Sequence, residues 1–116
     1  MLRDNPEFQV IGEAWDGLEA VRMSQELRPD LILLDVGLPK LNGIEAARRI
    51  SAVVPSTTIL FVSANQSHGV VQEAMRAGGC TRGYLLKSDA VRDLLPAVKA
   101  VMQDRQFIAT RVWPSS

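Results

Sequence analysis

The sequence predicts an α/β domain: a doubly wound parallel sheet with helices on both faces. Three observations carry this. Short apolar runs recur at Leu31-Ile32-Leu33-Leu34, at Ile59-Leu60-Phe61-Val62 and at Tyr84-Leu85-Leu86. Runs of that length, closed by polar or turn residues, read as strands buried on both faces, as parallel sheets require. Between them lie stretches whose apolar residues recur every three or four positions, the period of helices. Strict alternation of the two kinds implies right-handed crossovers, and about four strands of ordinary length are expected.

In chain order, Met1 to Asn5 is short and polar, and Pro6 breaks it. Residues 8–14, Phe-Gln-Val-Ile-Gly-Glu-Ala, read as the first strand by β-branched and aromatic content. Asp16-Gly17 signals a turn. Leu18, Val21 and Leu27, with Ala20 and Met23, make the stripe of a first helix, and Arg28-Pro29 ends it because a pre-proline residue avoids helical angles. The strand at 31–35 follows, then a loop from Pro39 in which Asn42-Gly43 is the turn dipeptide. Ile44, Ala47 and Ile50 mark the buried face of a second helix, with Glu45, Arg48 and Arg49 opposite and Pro55 as its stop. The strand at 58–63 leads to a third helix on Val70, Val71, Ala74 and Met75, closed by Gly78-Gly79. After a strand at 83–86, Ser88 is expected to cap a last helix with Val91, Leu94, Leu95, Val98, Val101 and Met102 as its stripe. Pro96 interrupts that helix. Residues from Phe107 to Ser116 show no periodicity and read as a tail.

Bulk properties narrow the function. The 116 residues suit one domain with one core, and 47% are apolar. Thirteen basic residues balance thirteen acidic ones, so charge makes no case for nucleic acid or a membrane surface. No apolar run reaches the length of a membrane span. The start has no apolar signal core, and a single cysteine, Cys80, forms no internal disulfide, so a reducing cytoplasm is the expected setting. One histidine and one cysteine far apart make no zinc site.

Three strands end in polar residues that a parallel sheet would bring to one edge, where ligands of open α/β sheets bind. Asp35 offers a carboxylate, Ser63 a hydroxyl and Lys87 an ammonium. A carboxylate can act as a nucleophile, and the other two can bind anionic oxygens, as phosphoryl transfer needs. Alone, Ser63 is a turn residue and Lys87 a solvated strand end. Their joint placement after three separate strands raises the functional reading above the bland one. His68 reads as a loop residue, with no base placed to make Asp35 a hydrolytic nucleophile.

Longer words of the sequence carry a resemblance. They are Val10-Ile11-Gly12-Glu13-Ala14 with Asp16-Gly17, Arg28-Pro29-Asp30 into Leu34-Asp35, Leu38-Pro39 with Asn42-Gly43-Ile44-Glu45, Ser63-Ala64, and Ala77-Gly78 followed by Gly83-Tyr84-Leu85-Leu86-Lys87. The chain resembles the receiver domain of two-component response regulators, in the subclass that usually precedes a LuxR-type helix-turn-helix domain. The resemblance implies a flavodoxin-like (CheY-like) fold over residues 1–108, with 109–116 as a tail. It implies that Asp35 accepts a phosphoryl group from a histidine kinase, that Ser63 moves toward that group, and that Lys87 pairs with it. Tyr84 matches the switch aromatic, which by itself reads equally as a strand aromatic packed on the sheet. The Gly37 carbonyl matches a magnesium ligand, and Gly37 and Asn65 match two positions that tune phosphoryl lifetime.

The sequence departs from that pattern at its start. The family begins with an apolar strand ending in an acidic pair that holds magnesium, and neither is present, so the receiver is expected to be N-terminally truncated and its magnesium weakly held. In the family that strand lies between this chain's first strand and 31–35, which places 31–35 at the sheet centre. Its loss is expected to be relieved by rearrangement or by a homodimer. The chain stops at Ser116, so direct nucleic-acid binding is not expected. Two functions follow as expectations: a phosphorylatable signalling module, or a phosphorylation-independent pseudo-receiver that acts through protein contacts.

Overall fold

The computed structural model describes residues 8–108. Within them the order is α1 (Gly17–Leu27), β1 (Leu31–Leu34), α2 (Gly43–Val53), β2 (Thr58–Ser63), α3 (His68–Met75), β3 (Thr81–Leu86), α4 (Ala90–Met102) and β4 (Phe107–Ile108). The four strands form one parallel sheet in the order β1-β2-β3-β4. Four parallel strands alternating with four helices give the flavodoxin-like fold expected.

Strand pleating divides the core between two faces. Ile59, Phe61, Tyr84, Leu86 and Leu34 pack with Ala20, Ile44, Ala47, Ile50, Val71 and Ala74, from α1, α2 and α3. Leu60 and Leu85 point the other way, onto Leu94, Ala97, Val98 and Val101 of α4. One face therefore carries three helices and the other carries α4. At the strands' amino ends, Cys80 is buried, its N–H donating to Ser51 Oγ at 3.3 Å and its carbonyl accepting from Ile59 N–H at 2.9 Å.

Several expectations are corrected. Residues 8–14 form no strand despite strand-forming composition. The fourth strand is instead Phe107–Ile108, which pairs with Gly83 and Tyr84 at the opposite edge. Two residues are too few to show a period, which is why that stretch looked like a tail; residues 109–116 lie outside the described region, as do 1–7. Among the described residues β1 is therefore an edge strand, and Leu33 is 40% exposed rather than buried.

The helices differ in detail. On α1 the buried residues are Gly17, Ala20 and Ser24, while Leu18 and Leu27 are exposed. Ser24 tolerates burial because its hydroxyl donates to the Val21 carbonyl at 2.7 Å. Arg28 ends α1 in a left-handed turn (φ 44°) and not in the extended form usual before proline. Asn42 caps α2, its Oδ1 accepting from Glu45 N–H at 2.9 Å, so Asn42-Gly43 starts a helix and does not turn a loop. No described glycine has a positive φ, so Gly78-Gly79 does not close α3; Arg76 ends it. Lys87–Asp89 form a 3₁₀ turn before α4, and Ser88 is inside that turn. Pro96 lies within α4 on its exposed side. The Arg92 carbonyl that it leaves without a helical donor therefore faces solvent, which lowers the usual cost of about 3 kcal/mol. Val91, 94% exposed, and Leu95 fall outside the buried stripe, because α4 buries only its Leu94-Ala97-Val98-Val101 line.

Candidate functional site

The parallel register brings the strands' carboxyl ends level. Leu34 pairs with Phe61, and Ser63 pairs with Leu86, so Asp35, Ser63 and Lys87 leave the sheet along one edge. Asp35 and Lys87 meet there in an ion pair between Asp35 Oδ2 and Lys87 Nζ. Their side chains are 32% and 53% exposed, so a donor molecule can reach them. The other carboxylate oxygen, Oδ1, accepts from Gly37 N–H at 2.9 Å. Burial works to raise the Asp35 pKa. The Lys87 and Gly37 hydrogen bonds and the Lys87 charge outweigh it and hold the carboxyl below its ordinary value. Beside the pair opens a recess of about 310 Å³ lined by Leu33, Val62, Ala90 and Leu94.

The loop after Asp35 is fixed by close backbone contact. Gly43 N–H donates to the Val36 carbonyl at 2.9 Å, and a Cβ on Gly43 would lie 2.0 Å from the Asp35 carbonyl oxygen. Gly17 likewise has no room for a side chain, with the Leu41 carbonyl 1.8 Å from where its Cβ would be. Gly17 N–H donates to the Pro39 carbonyl at 3.2 Å, and Lys40 Nζ lies 3.5 Å from Asp16 Oδ2. These glycines were missed as site residues. The readable signal was Asn42-Gly43 ahead of an amphipathic run, the pattern of a helix start.

Ser63, Asn65 and Tyr84 form a second group. Ser63 is buried, and its Oγ accepts from Asn65 N–H at 3.1 Å. Tyr84 is fully buried; its hydroxyl donates to the Asn65 carbonyl at 2.8 Å, and its ring centroid lies 6.1 Å from that of Phe61. Burial is the main cause that raises the Tyr84 pKa; a hydrogen bond with Ser63 opposes it, and the negative charge of Asp35 adds to it. The structure thus joins Asp35 to Lys87 and Gly37, and Ser63 to Asn65 and Tyr84. The two groups meet through the electrostatic field of Asp35 at Tyr84, with no hydrogen bond between them among the described residues. His68 opens α3 and is exposed.

Comparison with known proteins decides the family. The sequence matches the response regulator receiver domain family over residues 1–99. The chain belongs to the receiver-domain family. This receiver is 35% identical over 112 residues to the transcriptional regulatory protein DegU of Brevibacillus brevis, covering 97% of this chain and 47% of that one. It is 36% identical over 112 residues to the transcriptional regulatory protein PdtaR of Mycobacterium tuberculosis, covering 94% of this chain and 52% of that one. The receiver thus spans about half the length of the curated relatives it matches. Among solved structures, it superposes on a two-component response regulator of the LuxR family from Aurantimonas sp. SI85-9A1. There the TM-score is 0.85 at 30% identity, over 94% of this chain and 76% of that one. It also superposes on the response regulator domain of Thermotoga maritima CheB (TM-score 0.77, 31% identity, 88% and 82% coverage).

Receiver domains typically bind magnesium, which takes octahedral oxygen ligands including one or two carboxylates. Here both Asp35 oxygens already accept from Lys87 and Gly37. No group of three or more His, Cys, Asp or Glu among the described residues converges on a metal position. The described donor set does not by itself fit the ion. No helix among the described residues is long and apolar enough to cross a membrane.

Proposed function

We propose that this receiver takes a phosphoryl group onto Asp35 from the phosphohistidine of a histidine kinase and signals the change through Ser63 and Tyr84. The observation that carries the reading is the Asp35–Lys87 pair, an ionised carboxylate held beside an ammonium at the open carboxyl edge of the sheet. The Asp35 carboxylate attacks phosphorus, the P–N bond breaks, and its electron pair stays on the imidazole, which takes a proton from water. An acyl phosphate results, and its oxygens need donors. Lys87 can turn from carboxylate to phosphoryl, and the Ser63 hydroxyl supplies a second donor if it releases Asn65 N–H. That release would loosen the Asn65 carbonyl, to which Tyr84 is bonded. Gly37 and Asn65, one on each side of the site, would set how long the phosphoryl group lasts. The chemistry is group transfer on the chain itself, so the protein is a signalling module and not an enzyme acting on a separate substrate. A histidine kinase in the cytoplasm is the partner this reading requires.

The test is incubation with a phosphorylated histidine kinase, or with phosphoramidate, read by intact mass. A phosphate adduct is expected on the wild type and absent in Asp35→Asn. An adduct that survives Asp35→Asn would sink the reading.

A second reading has its own support. Both Asp35 oxygens already accept hydrogen bonds and Tyr84 is already inside, so no donor or ring awaits a place without phosphorylation. A phosphorylation-independent pseudo-receiver would bind its protein partner equally well as wild type and as Asp35→Asn.

A further inference from the structure

Asn42-Gly43 is the chain's one Asn-Gly pair. Glycine has no side chain to shield its backbone nitrogen, so in such a pair that nitrogen can attack the asparagine side chain. Asn42 stands exposed as the N-cap of α2, and Gly43 is buried as the first helical residue. We infer that Asn42 is a deamidation site which the native fold holds closed and which opening of the first turn of α2 releases, its isoaspartate product then keeping that turn from re-forming.

The chemistry needs only water. The Gly43 amide nitrogen gives its proton to hydroxide and attacks Asn42 Cγ. A C–N bond forms, the Cγ–Nδ2 bond breaks, and Nδ2 leaves as ammonia with a proton taken from water. The product is a five-membered succinimide ring. Water then adds to one of its two carbonyl carbons and the ring C–N bond there breaks. Opening at Cγ gives aspartate. Opening at the main-chain carbon gives isoaspartate, in which the chain runs through the side-chain carbons.

Four features of the structure oppose the first step. Ring closure needs the Gly43 nitrogen eclipsed with Asn42 Cβ, and the extended ψ of 161° at Asn42 holds the two apart. Asn42 Oδ1 is tied to Glu45 N–H at 2.9 Å, so Cγ is turned along the helix. Gly43 N–H is itself engaged, donating to the Val36 carbonyl at 2.9 Å. The Gly43 backbone cannot rotate to escape, because a Cβ there would already lie 2.0 Å from the Asp35 carbonyl oxygen. Asn42 is open to water throughout, so geometry and not shielding protects it. All four restraints belong to one turn, and that turn must open before the ring can close.

The two products differ in consequence. Aspartate caps a helix as well as asparagine does. Isoaspartate adds a methylene to the main chain just before Gly43, and the contact with Asp35 leaves no room to absorb it. Its carboxylate also sits one carbon nearer the main chain, short of Glu45 N–H.

The experiment incubates the full chain in mildly alkaline buffer, native and in urea, and reads Asn42 by peptide mapping with mass spectrometry. Native deamidation should be slower than in urea by at least about tenfold. Ile44→Ala, which loosens the buried side of the same turn, should speed the native reaction. Leu94→Ala, a core truncation on α4, should speed it much less. The wild-type comparison decides whether or not either variant folds. After urea is removed, chains with aspartate at 42 should regain slow amide exchange at Glu45 and Ala46, whose N–H groups bond to Asn42, and chains with isoaspartate should not. Any of three results overturns the inference: equal rates in native buffer and urea, equal acceleration by Leu94→Ala and Ile44→Ala, or isoaspartate chains protected at Glu45 and Ala46 like the wild type.

Discussion

Asp35 and Tyr84 lie at the same end of one sheet, two strands apart, and are held in opposite ways. Asp35 sits at the end of an edge strand, part-exposed, and its partners are a lysine and a backbone N–H. Tyr84 is fully enclosed between β2 and the helices of the three-helix face, and its hydroxyl meets a loop carbonyl. Solvent screens the first arrangement, while packing fixes the second. The difference teaches where this fold keeps its stability. On the proposed reading, the group that reacts stands where losing a contact costs little, and the group that would report on it stands where a small displacement is strongly resisted.

Substitutions can break or sharpen that contrast. The largest effect is expected from Tyr84→Ala, which empties a fully buried aromatic site and should cost about 3–5 kcal/mol in denaturant unfolding. Tyr84→Phe keeps the ring and loses one hydrogen bond, so about 1 kcal/mol is expected, part of it recovered by water at the exposed Asn65 loop. The same variant should change the alkaline limb. A raised Tyr84 pKa means its stabilisation is full below the unfolded tyrosine value of about 10 and is lost as pH rises through the higher folded value. Tyr84→Phe should remove that loss.

Asp35→Asn should change stability least, within about 1 kcal/mol at neutral pH, because the ion pair is solvent-screened. Here the sign is opposite. A lowered Asp35 pKa gives stabilisation that is full above the unfolded value of about 3.9 and disappears as pH falls through the folded one. The wild type and Asp35→Asn should therefore converge in stability in acid, as followed by thermal unfolding across a pH series. A drop of several kcal/mol in Asp35→Asn at pH 7 would show that the edge is as tightly built as the interior.

How much of this was legible follows from the same contrast. The strands at 31–34 and 58–63 could be read because each is dominated by a compact apolar run, whereas of 81–86 only the part at 83–86 was legible, since Thr81-Arg82 is polar and belongs to the strand through its neighbour β2. The meeting of Asp35 with Lys87 was readable because both follow such runs directly. What could not be read was relational. Residues 8–14 have the composition of a strand, but a strand exists only with a neighbour to bond, and composition does not reveal whether one is there. Phe107–Ile108 is the reverse case, two residues recruited by the free side of β3. Val91 and Leu95 fit a helical stripe perfectly well by spacing, yet α4 touches the sheet along a narrower line. That Asn65 joins Ser63 to Tyr84 depends on backbone groups of a loop, which side-chain identity does not encode.

Cys80 gives the molecule a clock of its own. It is the sole thiol in the chain, enclosed at the end of the sheet remote from Asp35, with the Pro55 carbonyl 3.5 Å from its sulfur. A reagent in solution reaches that sulfur only when β2, β3 and the end of α2 part. The rate at which an alkylating probe labels it therefore times the opening of the sheet's amino end, residue-specifically and without any engineered label. Run with and without a phosphoryl donor, that one rate measures whether an event at one end of the strands is felt at the other.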